Sequence, residues 1–158
     1  MLNQDKAKEN QIQKKKNLAL NKQTHYDNQA WHEVQSINDI NVPKPNTSNP
    51  ILAIQLDDPY ILRHASEGDR ITFILPNYEA VIVEVQEVSY PAENITQWTG
   101  KLENKYGGYP VNITMDENST IGRIVTPKGG TYSIKLEHGR GWIYQAESSQ
   151  FHQDVIDK

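Results

Sequence analysis

The chain has 158 residues, enough for one domain with a remainder, and its hydrophobic content of 36% is lean for a single compact fold. Its net charge of −4 is uneven: residues 1–24 hold six lysines against Asp5 and Glu9, so the rest of the chain carries about −8. An acidic folded part argues against nucleic-acid binding, and the lack of cysteine excludes disulfides, thiolate chemistry and Cys-based zinc sites.

Residues 1–40 are rich in Gln, Asn and Lys. Between positions 3 and 36 there is no Pro or Gly, so a helix is permitted. Leu18, Leu20, Ala30, Trp31 and Val34 are too sparse for a strong apolar stripe. The expectation is a polar helical or disordered arm, with Trp31 and Val34 as docking points. The Lys14-Lys15-Lys16 run reads as a solvated face; the sharper alternative is a juxtamembrane basic segment, worth about 1 kcal/mol per charge near anionic lipid. The start of the chain, Met1-Leu2 followed by Asn, Gln, Asp and Lys, is not a signal-peptide pattern. No apolar run approaches the roughly 20 residues of a membrane span. Two settings fit: the cytosol, or the envelope with an anchor already removed.

Residues 41–50 contain Pro43, Pro45 and Pro50, which bar helix and central strand alike, and predict a linker and domain boundary. From Ile51 the apolar period becomes two. Ile51 to Leu56 reads as a strand, and Ile61 to His64 as a short turn or strand. Residues 71–75 and 80–85 flank Pro76-Asn77-Tyr78-Glu79 and predict a hairpin, with Val81, Val83 and Val85 on one face and a bulge near Gln86-Glu87-Val88. Val111, Ile113 and Met115 alternate with polar residues; so do Tyr132, Ile134 and Leu136. With Ile121 to Val125 and Trp142 to Tyr144 they recur at turn-separated intervals, the pattern of an antiparallel meander. The fold class expected is mainly β: an antiparallel meander or sandwich-like domain over residues 51–146, then a polar, fraying tail over 147–158 from which Phe151 could tuck back.

Catalytic patterns are missing. His32-Glu33 has no second histidine at the zinc-protease spacing, and His25 and His32 without a third ligand are weak evidence for metal. Ser66 is not in a nucleophile-elbow context, and neither Gly107-Gly108 nor Gly129-Gly130 leads into a phosphate loop. The expectation is no enzyme, no cofactor and no metal. Among the aromatics, Trp98 and Tyr132 are read as core covers. Tyr106 and Tyr109, in a Gly-flanked loop, together with Trp142 and Tyr144, are the candidate partner contacts.

Trp98-Thr99-Gly100, Val111 to Thr114, Gly122-Arg123-Ile124 and Gly130-Thr131-Tyr132-Ser133-Ile134 follow one another in an order that resembles the end of the propeptide of secreted metzincin-type metalloproteases, peptidyl-Asp and reprolysin types. The likeness covers about residues 95–145, with Gly100 and Gly122 placed for a bulge or for an aromatic over bare backbone. No protease domain, zinc-binding helix or inhibitory cysteine accompanies it. The resemblance therefore implies only a fold that contacts or chaperones another protein. Three functions are expected in order: a non-catalytic protein-binding accessory factor of the bacterial envelope, periplasmic or at the cell surface, tethered by a lost anchor and serving a machine such as a type IV pilus or secretion system; a propeptide-like chaperone or inhibitor of a metalloprotease; or a carbohydrate- or surface-binding module.

Overall fold

The computed structural model describes residues 28–103, 108–127 and 130–146. The helix or disorder expected of the first 27 residues, the lysine run, Tyr106 and the polar tail lie outside the described residues.

Among the described residues nine strands form one antiparallel sheet: β1 (Trp31–Glu33), β2 (Ile51–Leu56), β3 (Arg70–Ile74), β4 (Ala80–Ala92), β5 (Ile95–Leu102), β6 (Pro110–Met115), β7 (Ser119–Thr126), β8 (Gly130–Glu137) and β9 (Arg140–Gln145). A short helix, α1 (Pro59–Arg63), separates β2 from β3. The spatial order is β1-β2-β9-β8-β7-β6-β5-β4-β3. A parallel bridge from Gln29 to Thr72 brings the residues just before β1 onto β3. The sheet is thus a nearly closed barrel rather than a sandwich, and closure is how an all-β fold removes its sticky edges.

The period of two explains the filling. One inward row across the sheet is Trp98, Ile113, Gly122, Ile134, Ile143 and Leu52. The next is Gly100, Val111, Ile124 and Tyr132. Val81, Val83 and Val85 are buried, as their shared face predicts. Trp31 stacks on Phe73 at 4.6 Å, and Phe73 tilts against Trp98 at 6.4 Å. Both indoles have partners: Trp31 donates to the Ile74 carbonyl at 2.9 Å and Trp98 to the Leu62 carbonyl at 3.1 Å. Large rings enter a core at low cost when the N–H is satisfied in this way.

Turn chemistry fixes the register. His138 and Gly139 both have positive φ between β8 and β9, the two-residue loop that matches strand twist. Asn94 supplies the left-handed residue between β4 and β5. The slip anticipated near Gln86 is present, between Val85 and Glu87. Gly100 lies opposite Val85 at that slip, where an added Cβ would be 2.6 Å from the Glu84 carbonyl oxygen. Gly122 is covered by Ile113 and Ile134 rather than by an aromatic ring.

Two expectations need correction. Residues 61–63 are helical: Asp58 accepts from the Tyr60 amide at 2.9 Å, and Pro59 begins the turn, so cap and proline together override the apolar run. Second, Trp31 is not a docking point on a polar arm. It is a fully buried core residue, and β1 pairs in register with β2, Trp31 opposite Leu56. The proline-rich stretch therefore joins two strands of one sheet. It runs along the barrel wall, where Val42 accepts from the Trp142 indole at 2.8 Å and Pro50 accepts from the Gln145 amide at 3.3 Å.

Candidate functional site

The outer wall carries the candidate site. Strands β6 to β9 turn two side-chain rows outward: Thr114, Ile121, Lys135 and Trp142 in one, Asn112, Arg123, Ser133 and Tyr144 in the other. Between them lies an open depression of about 320 Å³, lined by Asn112, Thr114, Ile121, Arg123, Ser133, Lys135 and Tyr144, with Gly122 and Ile134 at its floor. Ile121 is 57% exposed there. A large aliphatic side chain set among two cations, an aromatic ring and short hydroxyls makes a surface with apolar grip and a positive rim. Paired strands hold it rigid, so little ordering entropy is lost when something binds.

The four candidate contacts fare differently. Tyr144 lines the depression. Trp142 belongs to the same outer face but is only 4% exposed, because residues 41–50 pass over it and Val42 takes its N–H. Tyr109 is 38% exposed at the entry to β6. Three strand spacings, roughly 14 Å, separate β6 from β9, so Tyr109 and Tyr144 do not form one platform. Tyr106 lies outside the described residues. Trp98 and Tyr132 are buried, as core covers should be. Burial raises the Tyr132 phenol above its ordinary range, and Glu79 adds to the shift.

Sequence reasoning missed Ile121, Arg123 and Lys135. The signal was parity: Ile121 and Ile124 are an odd number of residues apart in one strand, so only one can face inward. Ile124 is the buried member.

No chemistry converges here. The depression presents no carboxylate, histidine or activated nucleophile. Among the described residues no group of three or more His, Asp or Glu could hold a metal ion. Elsewhere, His32 pairs with Asp57 at the surface, and the Tyr78 hydroxyl donates to the Glu33 carboxylate at 2.9 Å. Burial raises the Tyr78 phenol, and the bond to Glu33 raises it further. Both pairs tie β1 to its neighbours.

The comparisons fit this geometry. No curated protein matches the chain. A solved structure described as "Structure of a chaperone-substrate complex" is similar in fold, with 21% identity and a TM-score of 0.57 over 77% of this chain and 85% of that one. The family model described as "BamI lipocalin-like domain" matches residues 8–150. That match overturns the metzincin-propeptide resemblance, and the metalloprotease partner goes with it. The motifs behind the resemblance are successive barrel strands, β5 to β8, whose Gly and aromatic spacing follows from inward packing. The chain belongs to the family of BamI lipocalin-like domains.

Proposed function

We propose that the domain is a non-catalytic, protein-binding accessory module of the bacterial cell envelope, gripping its partner through the outer wall of β6 to β9. One observation carries this reading: the depression around Ile121 offers an exposed apolar centre with Arg123, Lys135 and Tyr144 around it and no acid, base or nucleophile set for turnover. Apolar centres with aromatic and arginine neighbours are where interface energy concentrates. The similar fold described as a chaperone-substrate complex supports a protein as the ligand. The Lys-rich stretch ahead of the barrel supports a setting beside an anionic membrane surface.

The test is photo-crosslinking in the native bacterium, with a photoreactive residue at position 121 or 144 of the full chain. A single envelope polypeptide should be captured from both positions, and Ile121→Asp with intact folding should abolish capture from position 144. Fractionation of the chain with the cytosol, or crosslinks no stronger than from an exposed control position such as Glu117, would sink the reading.

A further inference from the structure

β4 outruns its neighbour. β3 stays in register with β4 only as far as Arg70 opposite Glu84. The turn before β3 adds one step: Gly68 donates to the Val85 carbonyl at 2.8 Å, and Val85 donates to the Asp69 carbonyl at 2.8 Å. Beyond Val85 the strand continues to Ala92 with β5 on one side. Among the described residues no backbone hydrogen bond meets its other side. By strand alternation about half of the N–H and C=O groups from Gln86 to Ala92 point away from β5. Pro91, which lacks an N–H, is tolerated where the ladder is one-sided. Tyr90 stands 69% exposed on this stretch. Among the described residues this row of unpaired backbone groups is a template for an added strand.

Charge selects the occupant. Residues 86–100 contain no Lys or Arg. Glu87 and Glu93 are exposed on the hairpin, and Glu67 and Asp69 are exposed in the adjoining turn. Arg70, at the start of β3, is engaged by Glu103 at 2.7 Å. Two copies of this chain meeting edge to edge would bring like charges together, which disfavours self-pairing. A strand with cations at alternate positions meets the opposite situation.

We propose that the edge of β4 from Gln86 to Ala92 accepts a basic, extended segment of a partner polypeptide as a tenth strand. The proposal rests on the protein-binding reading above but uses a different surface from the Ile121 depression, so each can fail alone.

The experiment titrates the isotope-labelled full chain with an acetylated octapeptide alternating lysine and valine, and with its glutamate–valine counterpart. Amide shifts and slowed hydrogen exchange should be confined to residues 86–92 and their β5 partners. The lysine peptide should bind about tenfold more tightly than the glutamate peptide, and the gap should shrink as salt rises from about 0.1 M to about 1 M. The double variant Glu87→Lys, Glu93→Lys, with its fold checked by circular dichroism, should reverse the preference. Shifts at Ile121 and Tyr144 instead would overturn the edge proposal and leave the outer-wall reading standing. Equal response to both peptides, no response to either, or a dimer in sedimentation that the charge variant disrupts would also overturn it.

Discussion

The indole N–H of Trp142 donates to the carbonyl of Val42 at 2.8 Å, joining the last strand to the middle of the proline-rich connection. Trp142 faces outward from β9, so that connection is its cover. Asn49 donates to the Gln145 carbonyl at 3.4 Å nearby, and Arg140 reaches Asp39 at 3.2 Å. The Arg140 pair is exposed and adds little. Trp142→Phe keeps most of the ring and loses the bond, and should cost about 1 kcal/mol in urea unfolding. Hydrogen exchange should rise in residues 39–49 while the β8–β9 ladder stays protected. A uniform rise across the barrel would contradict the account of a strap laid over the outer wall and pinned at its middle by Trp142.

Barrel closure makes the second prediction. A chain beginning at residue 51 would lose Trp31, its stack on Phe73, its bond to Ile74 and the Gln29–Thr72 bridge. It should unfold less cooperatively than the full chain, with weakened near-ultraviolet circular dichroism. Trp31→Ala in the full chain should cost about 3–5 kcal/mol by thermal or urea denaturation. A fragment from residue 51 with full-chain stability would show that β1 is an accessory.

The contrast between those two regions explains what could be read from the sequence. Strands β4, β6 and β8 announce themselves because inward positions such as Val83, Val85, Ile113 and Ile134 alternate with less buried ones, and β2, β3, β7 and β9 because short apolar runs stand between turn residues; both signals are local to one chain. β1 has three residues, too few for periodicity, in a Gln- and Asn-rich stretch. Its strand state comes from partners far along the chain, Leu56 and Thr72. Tertiary pairing there overrides local composition. The outer site was half legible for a similar reason. Tyr144 drew notice as an aromatic, whereas Ile121 and Lys135 become neighbours only once β7 and β8 are in register. Trp142 misled because exposure cannot be inferred from strand parity alone when a loop returns over the outer face.

Asp116 gives a pH prediction. Its carboxylate accepts from the Asn118 amide at 2.8 Å and the Ser119 amide at 2.7 Å, closing the turn between β6 and β7. Those backbone bonds, with a smaller contribution from Arg63, hold its pKa below the ordinary 3.8. The folded state thus binds this proton less tightly than the unfolded chain. The associated stability is present above 3.8 and is lost as pH falls through the lower folded value. Stability measured by urea from neutral pH downward should drop in that acid window. Asp116→Ala should be less stable at neutral pH and should show a shallower acid loss. An Asp116 titration midpoint at or above 3.8 by nuclear magnetic resonance would refute the assignment.

Two glycines separate tolerance from its absence. At Gly141 an added Cβ would run into the carbonyl oxygen of Lys135 and crowd the Leu136 Cα, both backbone of the facing strand β8. Backbone in a paired strand cannot yield without breaking the ladder, so Gly141→Ala should cost about 3 kcal/mol and loosen β8 from β9. At Gly122 the same atom would meet the Cδ1 of Ile113 at 2.6 Å and of Ile134 at 3.1 Å. Those are the far ends of side chains with other rotamers, though the Asn112 carbonyl at 3.1 Å limits the room. Gly122→Ala should therefore cost only about 1 kcal/mol. Gly122 also forms the floor of the outer depression, and its Cβ would point inward with Ile113 and Ile134, away from a bound partner. Crosslinking from position 144 should accordingly persist in Gly122→Ala at temperatures where the variant is folded. Loss of capture in that folded variant would mean that the partner reads the inner packing of the sheet, and the outer-wall site would then need redrawing.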